Sequence, residues 1–285
     1  MQIERLIRKY EKELEKNHLS CQRREALRRE ILRLRLALYD QRFTQPFEKK
    51  IEFSKQLIRK TVEKHSGKCA VACSFGKDSM VVLHLVLQFD PKVMVVYNNT
   101  GVEYPGTKEF KEKVKKLWGL NLVETWPEKT FWQCVQEYGY PKLRYKHGSP
   151  RCCYWLKEKP TKLLIKREGI EVLFLGLTGS ESYQRKWTIV NYGPRYSTRK
   201  NAPYEIVKVH PIAYWKEEEV WRYIRENDVP VHPAYSYTNR IGCLPCTGYR
   251  DWMILLARVN PRLLRKILKD RSESKRHGEG LSWFF

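Results

Sequence analysis

The 285-residue sequence contains no apolar run that approaches the about 18 residues needed to cross a membrane. Its first residues, Met1 to Arg5, lead into charged positions without the apolar core of a signal peptide. Acidic residues are also scarce, since 32 Asp and Glu face 55 Lys and Arg and leave a formal net charge of +23. We therefore expect a cytoplasmic protein without a membrane partner, whose surface attracts polyanions such as nucleic acid or nucleotides.

The composition excludes a disordered chain, because 42% of the residues are hydrophobic and 13% are aromatic. The length suits one main domain with a small appended element. Eight cysteines without a signal peptide indicate a reducing compartment, where clustered cysteines are more typical of metal binding or catalysis than of disulfides.

Residues 1–45 show apolar positions at the three-and-four spacing of amphipathic helices, with a turn expected at 17–20. The first 50 residues hold 14 Lys and Arg against 8 Asp and Glu. A basic helical hairpin of this kind suits contact with nucleic acid, packing on its own domain or formation of a homodimer, and the sequence does not choose among these.

Strands and helices alternate after the hairpin. The predicted strands are 68–73, 93–97, 120–125 and 172–175, and the predicted helices are 47–64, 78–89, 105–118 and 216–227. This alternation predicts an α/β fold, a Rossmann-like parallel sheet with helices on both faces and its ligand site at the carboxyl ends of the strands. We divide the chain into the hairpin (1–45), a nucleotide-binding domain (46–250) and a basic C-terminal helix and tail (251–285).

A loop suited to phosphate follows the first predicted strand. It reads Ser74, Phe75, Gly76, Lys77, Asp78 and Ser79, and an apolar helix follows it. Backbone N–H groups and the positive end of the helix dipole would converge on an anion there, and Lys77 would add a positive charge. The spacing Gly-x-x-x-x-Gly-Lys of a Walker loop is absent.

This loop resembles the Ser-Gly-Gly-Lys-Asp-Ser signature of the PP-loop, or adenine nucleotide alpha-hydrolase, superfamily, with Phe75 in place of a glycine. Segments 98–105 and 176–185 resemble two further motifs of its phosphoadenosine phosphosulfate (PAPS) reductase family. The resemblance covers about residues 68–250. It implies that the loop residues, Phe75 included, bind the phosphates of ATP and Mg²⁺, and that Thr100, Gly101, Ser182 and Arg185 line the nucleotide. Lys77 and Asp78 would be catalytic.

Four cysteines form two clusters, the adjacent pair Cys152 and Cys153 and the Cys-x-x-Cys motif of Cys243 and Cys246. Four thiolates suit one metal site, either a [4Fe–4S] cluster or a zinc ion, and uncoordinated structural cysteines are the third alternative. Directly adjacent ligands favour the cluster, because separate irons can each take one thiolate. The resemblance agrees, since adenylylsulfate reductases of this family carry such pairs around a [4Fe–4S] cluster.

The reaction implied by the resemblance is sulfur transfer. Reductases of the family use a cysteine in a C-terminal Glu-Cys-Gly-x-His segment, and no cysteine follows Cys246 in this sequence. The complete Gly-Lys-Asp-Ser loop is typical of the ATP-cleaving branch. We therefore expect an enzyme similar to the iron–sulfur sulfurtransferases of DNA phosphorothioation systems, which adenylates a tRNA or DNA acceptor and takes sulfur from a donor such as a cysteine desulfurase. The alternatives are an adenylylsulfate or PAPS reductase producing sulfite and a non-catalytic sensor.

Basic and aromatic residues are interleaved around the cysteine pair. Residues 140–200 hold 14 Lys and Arg against 4 Asp and Glu. Cations neutralise backbone phosphates and aromatic rings stack on unpaired bases. We predict nucleic-acid contacts at Arg144, Lys146, Arg151 and Trp155.

Overall fold

The computed structural model describes residues 2–16, 18–143, 150–198 and 205–276. The first half contains α1 (Gln2–Leu14), α2 (Cys21–Phe43), α3 (Phe47–Lys64), β1 (Cys69–Ala72), α4 (Lys77–Leu87), β2 (Met94–Asn98), α5 (Thr107–Trp118), β3 (Asn121–Thr125) and α6 (Phe131–Tyr138). The second half contains α7 (Arg151–Cys153), a π-helical turn (Tyr154–Glu158), α8 (Lys159–Glu168), β4 (Val172–Leu175), α9 (Tyr183–Tyr192), β5 (Arg195–Ser197), β6 (Val207–Val209), α10 (Glu217–Glu226), a 3₁₀ turn (Pro233–Ser236), α11 (Trp252–Val259) and α12 (Pro261–Arg276).

The strands form one six-stranded sheet in the order β3-β2-β1-β4-β6-β5. β1 pairs with β4 and β4 with β6 in parallel, as the alternation of strands and helices predicts. The edge strand β5 is antiparallel to β6, so the sheet is mostly parallel, and the predicted Rossmann-like α/β fold is confirmed. β5 and β6 follow each other without an intervening helix, and antiparallel strands need no crossover connection.

The sequence-based prediction of the N-terminal hairpin is confirmed. α1 and α2 pack on each other, and Ser20 begins α2 by accepting a hydrogen bond from the backbone N–H of Arg23 on its side chain. α3 and β4 have the predicted bounds, and α12 is the expected basic helix near the C-terminus. No helix in the described ranges is long and apolar enough to span a membrane.

The chain forms two compact units, each built from several chain segments. The first comprises residues 1–73, 77–95 and 169–231. One of its apolar cores surrounds Tyr39, Ile189, Val190, Ala213 and Tyr214. The second unit comprises residues 74–76, 96–168 and 232–285. Its apolar core contains Tyr104, Phe131, Cys134, Tyr140, Cys152, Leu156, Ala234, Leu244, Trp252, Leu256 and Ile267.

Phe75 adopts a backbone conformation that glycine would tolerate better. Its φ is 58°, in the left-handed region, where a side chain costs about 1 to 2 kcal/mol. Its ring is fully buried, 5.5 Å from the ring of Tyr97 and 6.3 Å from that of Phe110, in edge-to-face contacts. Burial of the aromatic ring therefore offsets the backbone strain.

Replacement of Phe75 should reverse the usual order of alanine and glycine. Phe75→Ala should lower the free energy of unfolding by about 3 to 5 kcal/mol because it empties the ring site. Phe75→Gly should lower it by about 1 kcal/mol less, because glycine relieves the positive φ. Urea denaturation measures both. The control is Phe174, a buried residue of β4, where glycine should lower the free energy of unfolding more than alanine does. If glycine were also the more destabilising substitution at Phe75, the backbone strain at that residue would be contradicted.

His210 is a buried titratable group of the first unit. Only 2% of its surface is exposed, and burial lowers its pKa to about 4, with a further contribution from the charges of Lys208 and Arg185. Because the unfolded side chain has a pKa of about 6.5, the unfolded state binds more protons below that pH. His210 therefore destabilises the folded protein as the pH falls from about 6.5 towards 4.

His210→Gln should make stability less sensitive to acid. The free energy of unfolding of the parent should fall relative to the variant by about 1.4 kcal/mol per pH unit at most, below pH about 6.5. Urea denaturation midpoints of both proteins measure the difference between about pH 7.5, above the pKa of the unfolded side chain, and about pH 4.5, near that of the folded one. Parallel pH profiles for the two proteins would show that His210 is protonated equally in both states.

Candidate active site

The start of α4 lies against the residue that follows β4. A Cβ atom placed on Gly176 would be 2.7 Å from the carbonyl carbon of Asp78 and from the amide nitrogen of Ser79. No real side chain tolerates that distance, so only glycine permits this approach of two backbone segments. The first turn of α4, whose N–H groups have no partner within the helix, is thereby held at the carboxyl end of β4.

Lys77 and Asp78 begin α4 and form an ion pair. The Lys77 ammonium is 3.0 Å from Oδ2 of Asp78 and 3.6 Å from Oε1 of Glu217 at the start of α10. The Lys77 side chain is only 9% exposed. A positive charge at a helix N-terminus is unfavourable for the dipole, and the two carboxylates stabilise it there. The group is thus placed to meet an anion.

Two predicted nucleotide residues lie at the start of α9. Ser182 accepts a hydrogen bond from the backbone N–H of Arg185, 3.3 Å away, and so serves as the N-cap of this helix. The Arg185 guanidinium forms an ion pair with Glu181. Both residues belong to the same unit as Lys77 and Asp78.

The loop residues of the second unit pack tightly. A Cβ on Gly76 would lie 3.4 Å from the Tyr235 hydroxyl and from Cγ1 of Ile241, at the limit of ordinary contact. The ring of Phe75 is buried, so a contact between Phe75 and a nucleotide would have to come from its backbone. Ser74 is also in this unit.

Thr100 and Gly101 follow β2 in a tight turn. Both the amide and the hydroxyl of Thr100 donate to Oε1 of Glu103, at 2.5 and 2.8 Å. The amide of Gly101 donates to Oδ1 of Asn99 at 3.0 Å, and Gly101 has a φ of 72°. The positive φ favours glycine here, and the turn exposes Gly101 while Thr100 is buried.

The cysteine pair lies on a distorted helix. Cys152 and Cys153 end the short helix α7, and a π-helical turn follows directly. Such turns occur frequently at functional sites. The two thiols share a hydrogen bond, which raises the pKa of Cys152 and lowers that of Cys153, so the pair titrates as a unit.

Cys243 is held beside the Thr100 turn. Cys243 and Glu103 form an antiparallel bridge, and the amide of Leu244 donates to the carbonyl of Val102 at 2.7 Å. The Cys243 sulfur is 3.7 Å from the Thr100 hydroxyl. A predicted cluster ligand and a predicted nucleotide residue are therefore in contact within one unit.

The two cysteine pairs lie in the same part of the second unit, and two cations accompany them. Cys152, Cys153 and Leu244, the neighbour of Cys243, belong to one apolar core. After its hydrogen bond with Cys153 and its burial, the charges of Cys246 and Cys243 also raise the pKa of Cys152. Cys243 is the largest cause of the raised pKa of Lys157, and Arg240 lowers the pKa of Cys153. Burial raises the pKa of Cys246. Thiolates are charged, and Lys157 and Arg240 offset that charge.

The donor set fits a metal group bound by thiolates. Zinc requires all its sulfurs about 2.3 Å from one ion, whereas a [4Fe–4S] cluster distributes its four thiolates over four irons. Among the residues that the structure describes, no three His, Cys, Asp or Glu side chains are arranged to hold a single metal ion. The two added cations suit a group of net negative charge, and assignment of the four cysteines as ligands remains a prediction.

The predicted nucleic-acid residues are only partly described. Arg144 and Lys146 lie outside the described residues, and Arg151 is exposed at the start of α7. The Trp155 ring has the ammonium groups of Lys129 and Lys159 at 4.4 Å from its centre. These cations compete with a base for the ring, so stacking on Trp155 would have to displace them.

Sequence reasoning missed Glu217 and the contact of Gly176 beside the start of α4, and Lys157 and Arg240 beside the cysteines. Lys157 follows Cys153 by four positions and Arg240 precedes Cys243 by three, spacings that could have indicated both. Glu217 and Gly176 meet the start of α4 through tertiary packing, for which the sequence carries no local signal.

The chain has matches among known proteins. The family model described as phosphoadenosine phosphosulfate reductase domain matches residues 68–249. The adenosine 5′-phosphosulfate reductase of Staphylococcus epidermidis (strain RP62A) is 30% identical over 196 residues, which are 68% of this chain and 76% of that protein. The enzyme of the same name from Bacillus mycoides is 33% identical over 180 residues, 62% of this chain and 71% of that protein.

Two solved structures share the fold. PAPS reductase from Candida auris, in a phosphate complex, has a TM-score of 0.51 at 18% identity and covers 67% of this chain and 87% of its own. FMN adenylyltransferase from Candida glabrata has a TM-score of 0.51 at 16% identity and covers 74% of this chain and 69% of its own. With the match over residues 68–249, the chain belongs to the PAPS reductase family of the PP-loop superfamily.

Proposed function

We propose that the chain is an ATP-using sulfurtransferase that adenylates an oxygen of a nucleic-acid acceptor and replaces that oxygen with sulfur. The observation that carries the proposal is the loop at the start of α4, where the buried Lys77 ammonium lies 3.0 Å from Asp78. An ATP-cleaving enzyme needs a cation and a magnesium ligand at this position to hold a leaving pyrophosphate.

In the first step, an acceptor oxygen attacks the α-phosphorus of ATP and the bond to the pyrophosphate oxygen breaks. Lys77 and the first N–H groups of α4 stabilise the charge that develops on the departing pyrophosphate. Asp78 would hold Mg²⁺, which would supply further positive charge for the pyrophosphate when bound. Ser74, Phe75, Gly76 and Ser79 contribute backbone or hydroxyl contacts to the phosphates. Thr100, Gly101, Ser182 and Arg185 line the nucleotide.

In the second step, sulfur at the oxidation level of sulfide takes the place of the acceptor oxygen, which leaves in AMP. If the donor is a persulfide, for example on a cysteine desulfurase, a further thiol supplies two electrons and ends in a disulfide. Cys152, Cys153, Cys243 and Cys246 would hold a [4Fe–4S] cluster, which supplies iron and sulfide chemistry to this step when bound. Lys157 and Arg240 offset the negative charge of the thiolates. Such thiols stay reduced in the cytoplasm, where we place the enzyme.

A second candidate is a sulfonucleotide reductase that produces sulfite. The names of the matched relatives favour it, because both bacterial proteins are adenosine 5′-phosphosulfate reductases. The two activities are separated by their products. With ATP, a tRNA or DNA acceptor and a sulfur donor, a sulfurtransferase releases AMP and pyrophosphate. With adenosine 5′-phosphosulfate and a thiol, a reductase releases sulfite, and sulfite without any pyrophosphate from ATP would refute our proposal.

Removal of the loop charges should abolish turnover without unfolding the protein. Lys77→Ala and Asp78→Ala should each lower the rate of pyrophosphate release at least about 100-fold, because each removes stabilisation of the leaving group. A coupled pyrophosphate assay measures the rate. Lys60→Ala, at an exposed lysine of α3, is the control and should leave the rate unchanged. Normal rates in both loop variants would contradict the assignment of the loop.

Replacement of one clustered cysteine should remove the metal group. Anaerobically purified protein should be brown and contain about four irons and four sulfides per chain. Cys243→Ser should bleach it and lower the iron content, because one ligand is lost. Cys21→Ser should not, since Cys21 is exposed at the start of α2, outside the unit that holds the four thiols. Colourless protein with one zinc per chain would contradict the cluster.

A further inference from the structure

One face of α1 carries an uninterrupted row of cations. It consists of Arg5, Arg8, Lys9 and Lys12 of α1 and of Lys16, which follows the end of the helix at Leu14; all five are exposed, and we call them the α1 basic face. The spacing of three and four residues places the first four on successive turns of one side of the helix. With a rise of 1.5 Å per residue, the helical part of the row extends over about 10 Å.

The acidic residues of α1 are engaged elsewhere. Glu4, Glu11 and Glu13 pair with the guanidinium groups of Arg42, Arg35 and Arg23 on α2, at 3.1, 2.7 and 2.7 Å. Among the described residues, none of the five cations of the α1 basic face forms an ion pair with a carboxylate. The hairpin thus neutralises the arginines at its own interface and leaves the outer row with its full charge.

The basic face borders an open groove at the turn of the hairpin. The groove has a volume of about 570 Å³ and is lined by Arg5, Arg8, Lys9, Lys12, Glu13, Lys16, His18 and Leu19. Its one carboxylate, Glu13, is already held by Arg23. Arg24 fixes the turn, since its guanidinium donates to the carbonyls of Leu14, Lys16 and Leu19 at 2.9 to 3.4 Å.

We propose that the α1 basic face binds the phosphodiester backbone of a double-helical nucleic acid. A duplex carries one phosphate per about 3.4 Å of each strand, so a helical row of about 10 Å can meet about three phosphates. The family domain begins at residue 68, so the hairpin is an addition that could dock a polymeric acceptor. The docking of an acceptor rests on the function proposed above, whereas the binding of a duplex to the α1 basic face does not.

Three other partners, a membrane, a single-stranded nucleic acid and a protein, fit less well. An amphipathic helix binds a membrane by inserting an apolar face, but Ile7 is buried and Leu6 is half-buried against the hairpin. Single strands need exposed aromatic rings for stacking, and the basic face has none, since Tyr10 is half-buried. Protein interfaces rely on aromatic or apolar anchors, which the row also lacks.

The test measures the salt dependence of duplex binding. Fluorescence anisotropy of a short labelled DNA duplex or RNA duplex is followed against NaCl concentration, without ATP. In the double variant with Lys9→Ala and Lys12→Ala, the slope of log affinity against log salt should fall by about 1.8, or about 0.9 for each lost phosphate contact. Alanine favours helix, so circular dichroism should show an intact fold.

A matched control removes the same charge from the same unit. Lys60→Ala with Lys64→Ala changes two exposed lysines of α3, for which the described residues include no acidic partner. Its slope should equal that of the parent protein. Equal losses in both double variants would reduce the effect to net charge and overturn the proposal. So would an unchanged slope in the α1 variant, or binding of anionic phospholipid vesicles or single strands in place of duplexes.

The failure of this proposal and that of the proposed function are distinguishable. If ATP gives no pyrophosphate but the α1 variant shows the reduced slope of log affinity against log salt, the sulfurtransferase proposal is contradicted and the duplex-binding proposal is supported. If pyrophosphate release needs a duplex acceptor and the α1 variant keeps the parent KM for that acceptor, the duplex-binding proposal is contradicted and the sulfurtransferase proposal is supported.

Discussion

The contact between Gly176 and the backbone of Asp78 and Ser79 is the constraint on which the nucleotide side of the site depends. β1 and β4 pair in parallel, so the chain leaves both strands at the same edge of the sheet. Because a methyl group on Gly176 would lie 2.7 Å from the first turn of α4, the helix start is fixed by backbone packing. Lys77 can then be buried beside two carboxylates at a position where a helix dipole alone would disfavour it.

Around the cysteines, the balance between thiolate charges and the nearby cations Lys157 and Arg240 is the main constraint. Four thiols in one partly buried region cannot all ionise without compensation. The opposite pKa shifts of Cys152 and Cys153 come first from the hydrogen bond that these two thiols share. Lys157 and Arg240 reduce the cost of thiolate formation, as does a bound metal. The contact of Cys243 with Thr100 places this cluster next to the turn after β2. A change in the charge of the thiols would therefore change the electrostatic potential at Thr100, which is expected to line the nucleotide.

The sequence predicted the parts of the fold and site that local pattern determines. Periodicity located α3 and β4 with their observed bounds, because each has one face or its whole length in the core. It missed the antiparallel β5, which is three residues long and depends on its partner strand for its conformation. The loop at 74–79 was recognisable because strand, turn and helix follow one another. The partner carboxylate Glu217 was not, since it lies 140 positions after Lys77. The ligand set and the nucleic-acid contacts remain predictions.

Net charge and charge placement carry different information about this protein. The value of +23 predicts attraction to polyanions but does not say where they bind. In the hairpin, α2 is rich in arginine, yet Arg23, Arg29, Arg33, Arg35 and Arg42 each face a glutamate. Exposed pairs of this kind add little stability, but they cancel each other's field at a distance. Among the described residues, the α1 cations form no such pairs and keep their charge, as does the exposed Arg28 of α2. Ion pairing, which only the folded chain reveals, cancels much of the charge of α2 and leaves the α1 basic face charged on one side of the hairpin.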